Sequence, residues 1–188
     1  MTPFFNLPNT CGDNTNKGGR QYANMKIRYL LLLFPFLLFN HAYAQKTDFD
    51  KGMAAFNAHD FKTAVTLLSP YAQKSNCTAQ FAVGYSYAND YDIKNDSLAI
   101  HWLLLAAEQK QQKAMGPLAA CYFWNDKVAD HLAKAYLWGV LGELYDPKQS
   151  PTGTTLMAKE YMKPDELARA NKLIDEYEER WHHKPNCQ

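Results

Sequence analysis

The side chains in this sequence that could do chemistry are its cysteine thiols, its histidines and its grouped carboxylates. The cysteines are Cys11, Cys77, Cys121 and Cys187. None sits in the CxxC pair that a structural zinc site uses. Cys11 precedes an export signal described below, which leaves three in the mature chain. An odd count in an oxidising compartment means one disulfide plus one thiol, or three free thiols. Cys121 reads as a buried core thiol, and Cys77 with Cys187 stays open as a pair. The mature histidines are His59, His101, His131, His182 and His183. Neighbours on a helix face different directions, so His182 and His183 make no metal site without a third ligand, and none is evident. His101 stands beside Trp102 and reads as an exposed or groove residue rather than a base. His131 reads as a loop-facing polar residue at a helix start. Asp175, Glu176, Glu178 and Glu179 are spread around a helix as a solvated face. No nucleophile elbow, phosphate loop, dinucleotide fingerprint or zincin motif occurs. The expectation is therefore no catalytic, cofactor-binding or metal-binding residue, no cofactor, and no enzyme.

Composition sets the frame for these residues. Of 188 residues, 47% are hydrophobic and 21% charged, which suits a globular chain and not a disordered one. The formal net charge is +1. Removing the four basic and one acidic groups of residues 1–44 leaves 16 basic and 18 acidic groups, a net of −2. A slightly acidic mature chain lacks the basic footprint of a nucleic-acid binder.

Residues 25–44 read MKIRYLLLLFPFLLFNHAYA. Lys26 and Arg28 form a positive n-region, Leu30 to Phe39 an apolar h-region, and Ala42-Tyr43-Ala44 a cleavage site. This is the layout of a secretory signal peptide, with cleavage after Ala44. The apolar run from Tyr29 to Phe39 falls short of the roughly 20 residues a spanning helix needs, so no stable membrane insertion is expected after cleavage. No cysteine follows the h-region, which argues against a lipoprotein. Residues 1–24 are polar and carry no apolar period. They are expected to be unstructured, with Met25 as the true start. The expected location is periplasmic or secreted.

The elements that must position the mature chain repeat. Ala64, Ala99, Ala135 and Ala170 are separated by 35, 36 and 35 residues. Three positions after each stands Leu67, Trp102, Trp138 or Leu173. Four after stands Leu68, Leu103, Gly139 or Ile174, and seven after Tyr71, Ala106, Gly142 or Tyr177. Offsets of 0, 3, 4 and 7 trace one face of an α-helix. Asp60 precedes the first striped helix. Asp96, after Asn95, suits the N-cap or first turn of the second, and Pro164 with Asp165 and Glu166 opens the fourth. Shorter apolar stretches lie between: Phe49 to Phe56, Ala79 to Tyr87, Ala114 to Trp124, and Thr155 to Met162. Asn89 to Asn95 and Asp146 to Gly153 read as polar loops. The unit is a helix, a turn and a second helix in about 35 residues.

One such pair cannot bury its apolar face alone, whereas stacked pairs can. The fold expected is all-α: a right-handed α-solenoid of three to four stacked helix-turn-helix repeats over residues 45–184, closed by a capping helix and a tail at 185–188. The signature core is Ala64, Ala99, Trp102, Ala135, Trp138 and Ala170. In such a stack Cys77, just before one helix, and Cys121, two turns into the next, would differ in height by ~13 Å at 1.5 Å per residue, too far for a disulfide.

Several stretches resemble the Sel-one-like repeat family, relatives of tetratricopeptide repeats. Asp48-Phe49-Asp50-Lys51-Gly52 and Asp60-Phe61-Lys62-Thr63-Ala64 resemble its opening pair. Ala79 to Tyr85 resembles its A-Q-x-x-L-G-x helix. Asp96 to Trp102, followed by Ala106-Ala107-Glu108-Gln109, resembles D-x-x-x-A-x-x-W-x-x-x-A-A-x-Q. Met162 to Ala170 resembles the closing helix of such arrays. Ser75 and Gln111 stand where the family often has glycine, and glycine is missing around Asn89 and Lys127. The cysteine-rich branch of the family clamps each helix pair with two cysteines, a spacing absent here.

The resemblance implies a non-enzymatic scaffold or adaptor that binds a protein or peptide in a concave groove. Tyr87, Tyr91, His101 and Tyr122 are the groove candidates, since aromatics are favoured interface anchors. One alternative is a cell-wall-directed hydrolase or β-lactam-binding protein. The other is a secreted factor acting on a host or competitor protein.

Overall fold

A computed structural model describes residues 48–145 and 153–182, together with 184 and 187. The expected signal peptide, the residues upstream of it, most of the Asp146 to Gly153 loop and His183 lie outside the described residues. Among the described residues there are eight helices and no strands. They are α1 (48–57), α2 (Phe61–Gln73), α3 (Cys77–Asn89), α4 (Asp96–Glu108), α5 (Gln112–Phe123), α6 (His131–Tyr145), α7 (Gly153–Tyr161) and α8 (Pro164–Trp181). None is long and apolar enough to cross a membrane.

The helices start where short polar side chains can satisfy free backbone N–H groups. Asp60 accepts from the Thr63 N–H, Asn76 from Ala79 and Asn95 from Leu98, at 3.2, 2.8 and 3.0 Å. Asn95 is thus the cap of α4, and Asp96 adds a carboxylate to its first turn. Pro164 opens α8, and the Glu166 carboxylate accepts from the Lys163 N–H at 3.0 Å.

Three turns close alike with a residue in the left-handed region. His59, Ser75 and Lys110 have φ of 60, 63 and 60°. In each, the next residue's N–H reaches back five positions: Asp60 to Ala55, Asn76 to Tyr71 and Gln111 to Ala106. This is a Schellman closure, which favours glycine but here uses side-chain-bearing residues. The left-handed positions of these turns fall on Ser75 and on Lys110, not on Gln111.

Helices pack in succession, α2 on α3, α3 on α4, and onward to α6 on α7. Alternate helices α3, α5 and α7 also touch. The four anchor alanines are fully buried. So are Leu68 and Leu103 at the fourth offset, with Ile174 nearly so. Small side chains at these positions let backbones approach. At Gly84 the fit is closer still, since a Cβ there would lie 2.8 Å from the Leu103 backbone nitrogen and 3.1 Å from Trp102 Cβ. The motif glutamines also meet. Gln80, buried in α3, donates to the Ala72 carbonyl at 3.1 Å and accepts from Gln109 at 2.6 Å.

Three expectations need correction. Trp102 is half-buried, sitting beside the first of two core clusters instead of inside it. Leu173 is 41% exposed, because α8 turns that edge to solvent and buries Ala170, Ile174 and Trp181 instead. Cys121 lies at the edge of the second cluster, half-buried and not in its centre. The helix α8 lies against α6, where Tyr177 and Trp181 meet Trp138 at ring separations of 5.3 and 6.1 Å.

Candidate functional site

The last turns of α3 and α5 and the start of α4 border a cleft of about 310 Å³. Helical period explains its far wall. In α5 the stripe Ala114, Met115, Leu118, Ala119 and Tyr122 is buried. The opposite stripe, Pro117, Ala120, Cys121 and Trp124, is left to face the cleft. Trp124 ends α5 and is 76% exposed. Its ring meets Phe123 edge to face at 4.9 Å, and Phe123 stacks on the exposed Tyr161 at 6.4 Å. The rim therefore carries an aromatic strip from α5 to the end of α7.

The near wall carries Tyr85 and Asn89 of α3. Asn89 donates its amide N–H to the Tyr85 carbonyl at 2.9 Å, which leaves its amide oxygen as an acceptor. Asn125 adds a second amide on the far side. Lys94 and Asp96 pair loosely at 3.9 Å at the mouth. The loop between α3 and α4 is folded on itself. Asp90 accepts from the Asp92 and Ile93 N–H groups, and Lys62 of α2 reaches Asp92 at 2.7 Å. Burial pushes the Cys121 thiol up to about 11, so it stays protonated near neutral pH and is a poor nucleophile.

A second, more open cleft of about 580 Å³ lies where α2, α3 and α4 meet. His101 and Trp102, edge to face at 4.9 Å, line it with Gln80, Glu108 and Gln109.

The four groove residues expected from sequence are not brought together. Tyr91 projects from the α3–α4 loop at 95% exposure. Tyr87 is half-buried against the first core cluster. Tyr122 is 6% exposed and belongs to the second core cluster, with the Lys134 ammonium 5.8 Å from its ring centroid. His101 lines the second cleft. Tyr122 is a packing residue, and its neighbours Cys121 and Trp124 take the cleft-facing positions. Sequence reasoning passed over Tyr85, Asn89, Trp124 and Asn125. The signal was present, because a residue two positions beyond a core tyrosine on a helix points away from the core.

Among the described residues, no group of three or more His, Cys, Asp or Glu side chains is placed to hold a metal ion. What the first cleft offers is an aromatic face, two amides and a mixed-charge mouth. Fold and site together define an all-helical protein of successively packed helices with an open, aromatic-rimmed cleft. No family model matches the chain, and no curated protein matches it.

Proposed function

We propose that this protein is a non-enzymatic binding scaffold of the Sel-one-like repeat kind, exported to the bacterial periplasm or beyond. In this reading the cleft between α3 and α5 is the concave groove, and a protein or peptide segment lies in it. The observation that carries the proposal is Trp124, a large apolar ring held open to solvent at the rim of the cleft. Exposed tryptophans next to preformed clefts are favoured anchors, because burying one on binding removes much apolar surface at little cost in side-chain freedom. The Asn89 and Asn125 amides suit the carbonyls and N–H groups of a peptide backbone.

The disulfide between Cys77 and Cys187 supports the exported location, since such bonds persist in oxidising compartments. The raised pKa of Cys121 supports a non-catalytic role for this cleft-lining thiol.

The test is periplasmic cross-linking of the mature chain, with mass spectrometry of the captured material. A single dominant protein, lost when Trp124 becomes alanine and kept when exposed Leu173 becomes alanine, is the expected result. Capture that ignores Trp124, or glycan or β-lactam adducts with no protein, would overturn the reading.

A further inference from the structure

Lys184 and Cys187 lie over the turn between α4 and α5. Cys187 is disulfide-bonded to Cys77, the first residue of α3, with Cα atoms 6.2 Å apart. The Gln111 amide donates to Cys187 Sγ at 3.4 Å, and the Lys184 ammonium donates to the Glu108 carbonyl at 2.7 Å.

The turn holds the tail in return. Lys110 is only 7% exposed and donates to the carbonyls of Trp181 and Lys184 at 2.6 and 2.7 Å. Its ammonium also lies 5.1 Å from the centre of the Tyr145 ring. A buried ammonium is tolerated only while such acceptors surround it. Both of its carbonyl acceptors belong to the end of α8 and the tail. Burial of Lys110 and docking of the tail are therefore one event.

Hydrogen bonds to a short chain end are a weak hold against the freedom the end regains on release. The disulfide removes that freedom. We infer that Cys77–Cys187 is a redox-operated clamp on the C-terminal cap. Oxidised, it holds the tail and the last turn of α8 on the α4–α5 turn. Reduced, it frees them, hydrates Lys110 and loosens Glu108 and Gln109, which line the second cleft. The chemistry balances with a dithiol reductant. The S–S bond breaks, two thiols form, and the reductant gives up two electrons and two protons as it closes its own disulfide. The inference does not depend on the groove proposed above.

Hydrogen exchange of the protein purified without reductant, compared before and after dithiothreitol, tests it. Amides of residues 109–112 and 178–182 are expected to exchange about tenfold faster or more after reduction, with α2 and α6 unchanged. Alkylation should reach Cys77 and Cys187 only after reduction. Cys187→Ser should show the released pattern without reductant, and Cys121→Ser should keep the clamped one. Should Cys187→Ser not fold, the wild-type comparison decides. Unchanged exchange in the tail on reduction would overturn the clamp, since the hydrogen bonds and the buried Trp181 ring would then hold it. Faster exchange spread evenly over all helices would overturn it too, making the bond a general staple. So would alkylation of both cysteines before reduction.

Discussion

Gly84 is the sharpest place to test the packing of α3 on α4. A methyl group added there would meet the Leu103 backbone nitrogen at 2.8 Å, Leu103 Cγ at 2.9 Å and Trp102 Cβ at 3.1 Å. Carbon contacts settle at roughly 3.5–4.0 Å, so the two helices would have to part by about half an ångström or more. A backbone atom cannot swing aside as a side-chain end does. Overpacking of this kind costs about 1–3 kcal/mol, and alanine returns about 1 kcal/mol over glycine in a helix interior. The net expectation for Gly84→Ala is a loss of up to about 2 kcal/mol. Urea unfolding followed by circular dichroism measures it. Gly153→Ala is the control, because nothing lies within 4 Å of its added methyl. It should move stability by no more than about 0.5 kcal/mol. If Gly84→Ala is more stable than the wild type, α3 and α4 do not touch at Gly84 and the packing described is wrong.

Ser75 is exposed and sits at φ 63°, so Ser75→Gly should stabilise by up to about 1 kcal/mol and raise the melting temperature by a few degrees. Lys110→Gly relieves the same backbone strain yet should destabilise, because it removes the contacts to the tail; a calorimetric scan of both variants separates the two effects. Burial and then the hydrogen bond to Glu108 push the Tyr177 hydroxyl up to about 12. The fold thus keeps Tyr177 neutral where the unfolded chain would ionise, so this contribution is complete below pH ~10 and is lost as pH rises toward 12. Tyr177→Phe should flatten that alkaline decline in denaturation midpoints taken across the range. Removing residues 164–188 should expose Trp138 and cause aggregation, and a soluble, fully helical truncation would count against α8 as a cap.

The spacing of buried helix positions could be read from sequence because a helix turns its buried face into a fixed interval. Ala64, Ala99, Ala135 and Ala170 recur at nearly one interval, and all four are buried. Asp60 and Pro164 mark helix starts by chemistry that needs no tertiary contact. The motif glycine and tryptophan at 84 and 102 prove to be neighbours in space, which gives that pattern a steric cause. Other features were hidden because they depend on contacts between distant residues. Lys110 takes the left-handed turn position, and the residues that reward its burial lie 71 and 74 positions away. The Cys77–Cys187 bond has no spacing rule behind it. Tyr122 and Trp124 differ for another reason: helical phase and not aromatic identity decides exposure, so Tyr122 is buried while Trp124 faces the cleft.

A linear array of helix pairs comes apart from its ends, since each unit is held only by its neighbours. The bond between residues 77 and 187 removes one of those ends. The end of α8 cannot peel away while Cys187 is tied to the beginning of α3, so residues 77–187 form a covalent ring. Among the described helices, α1 and α2 lie outside the ring. The end of α8 should therefore open later than residues 48–76, which lie outside the ring. The order in which the helix ends open would then follow the disulfide rather than the 35-residue period of the sequence.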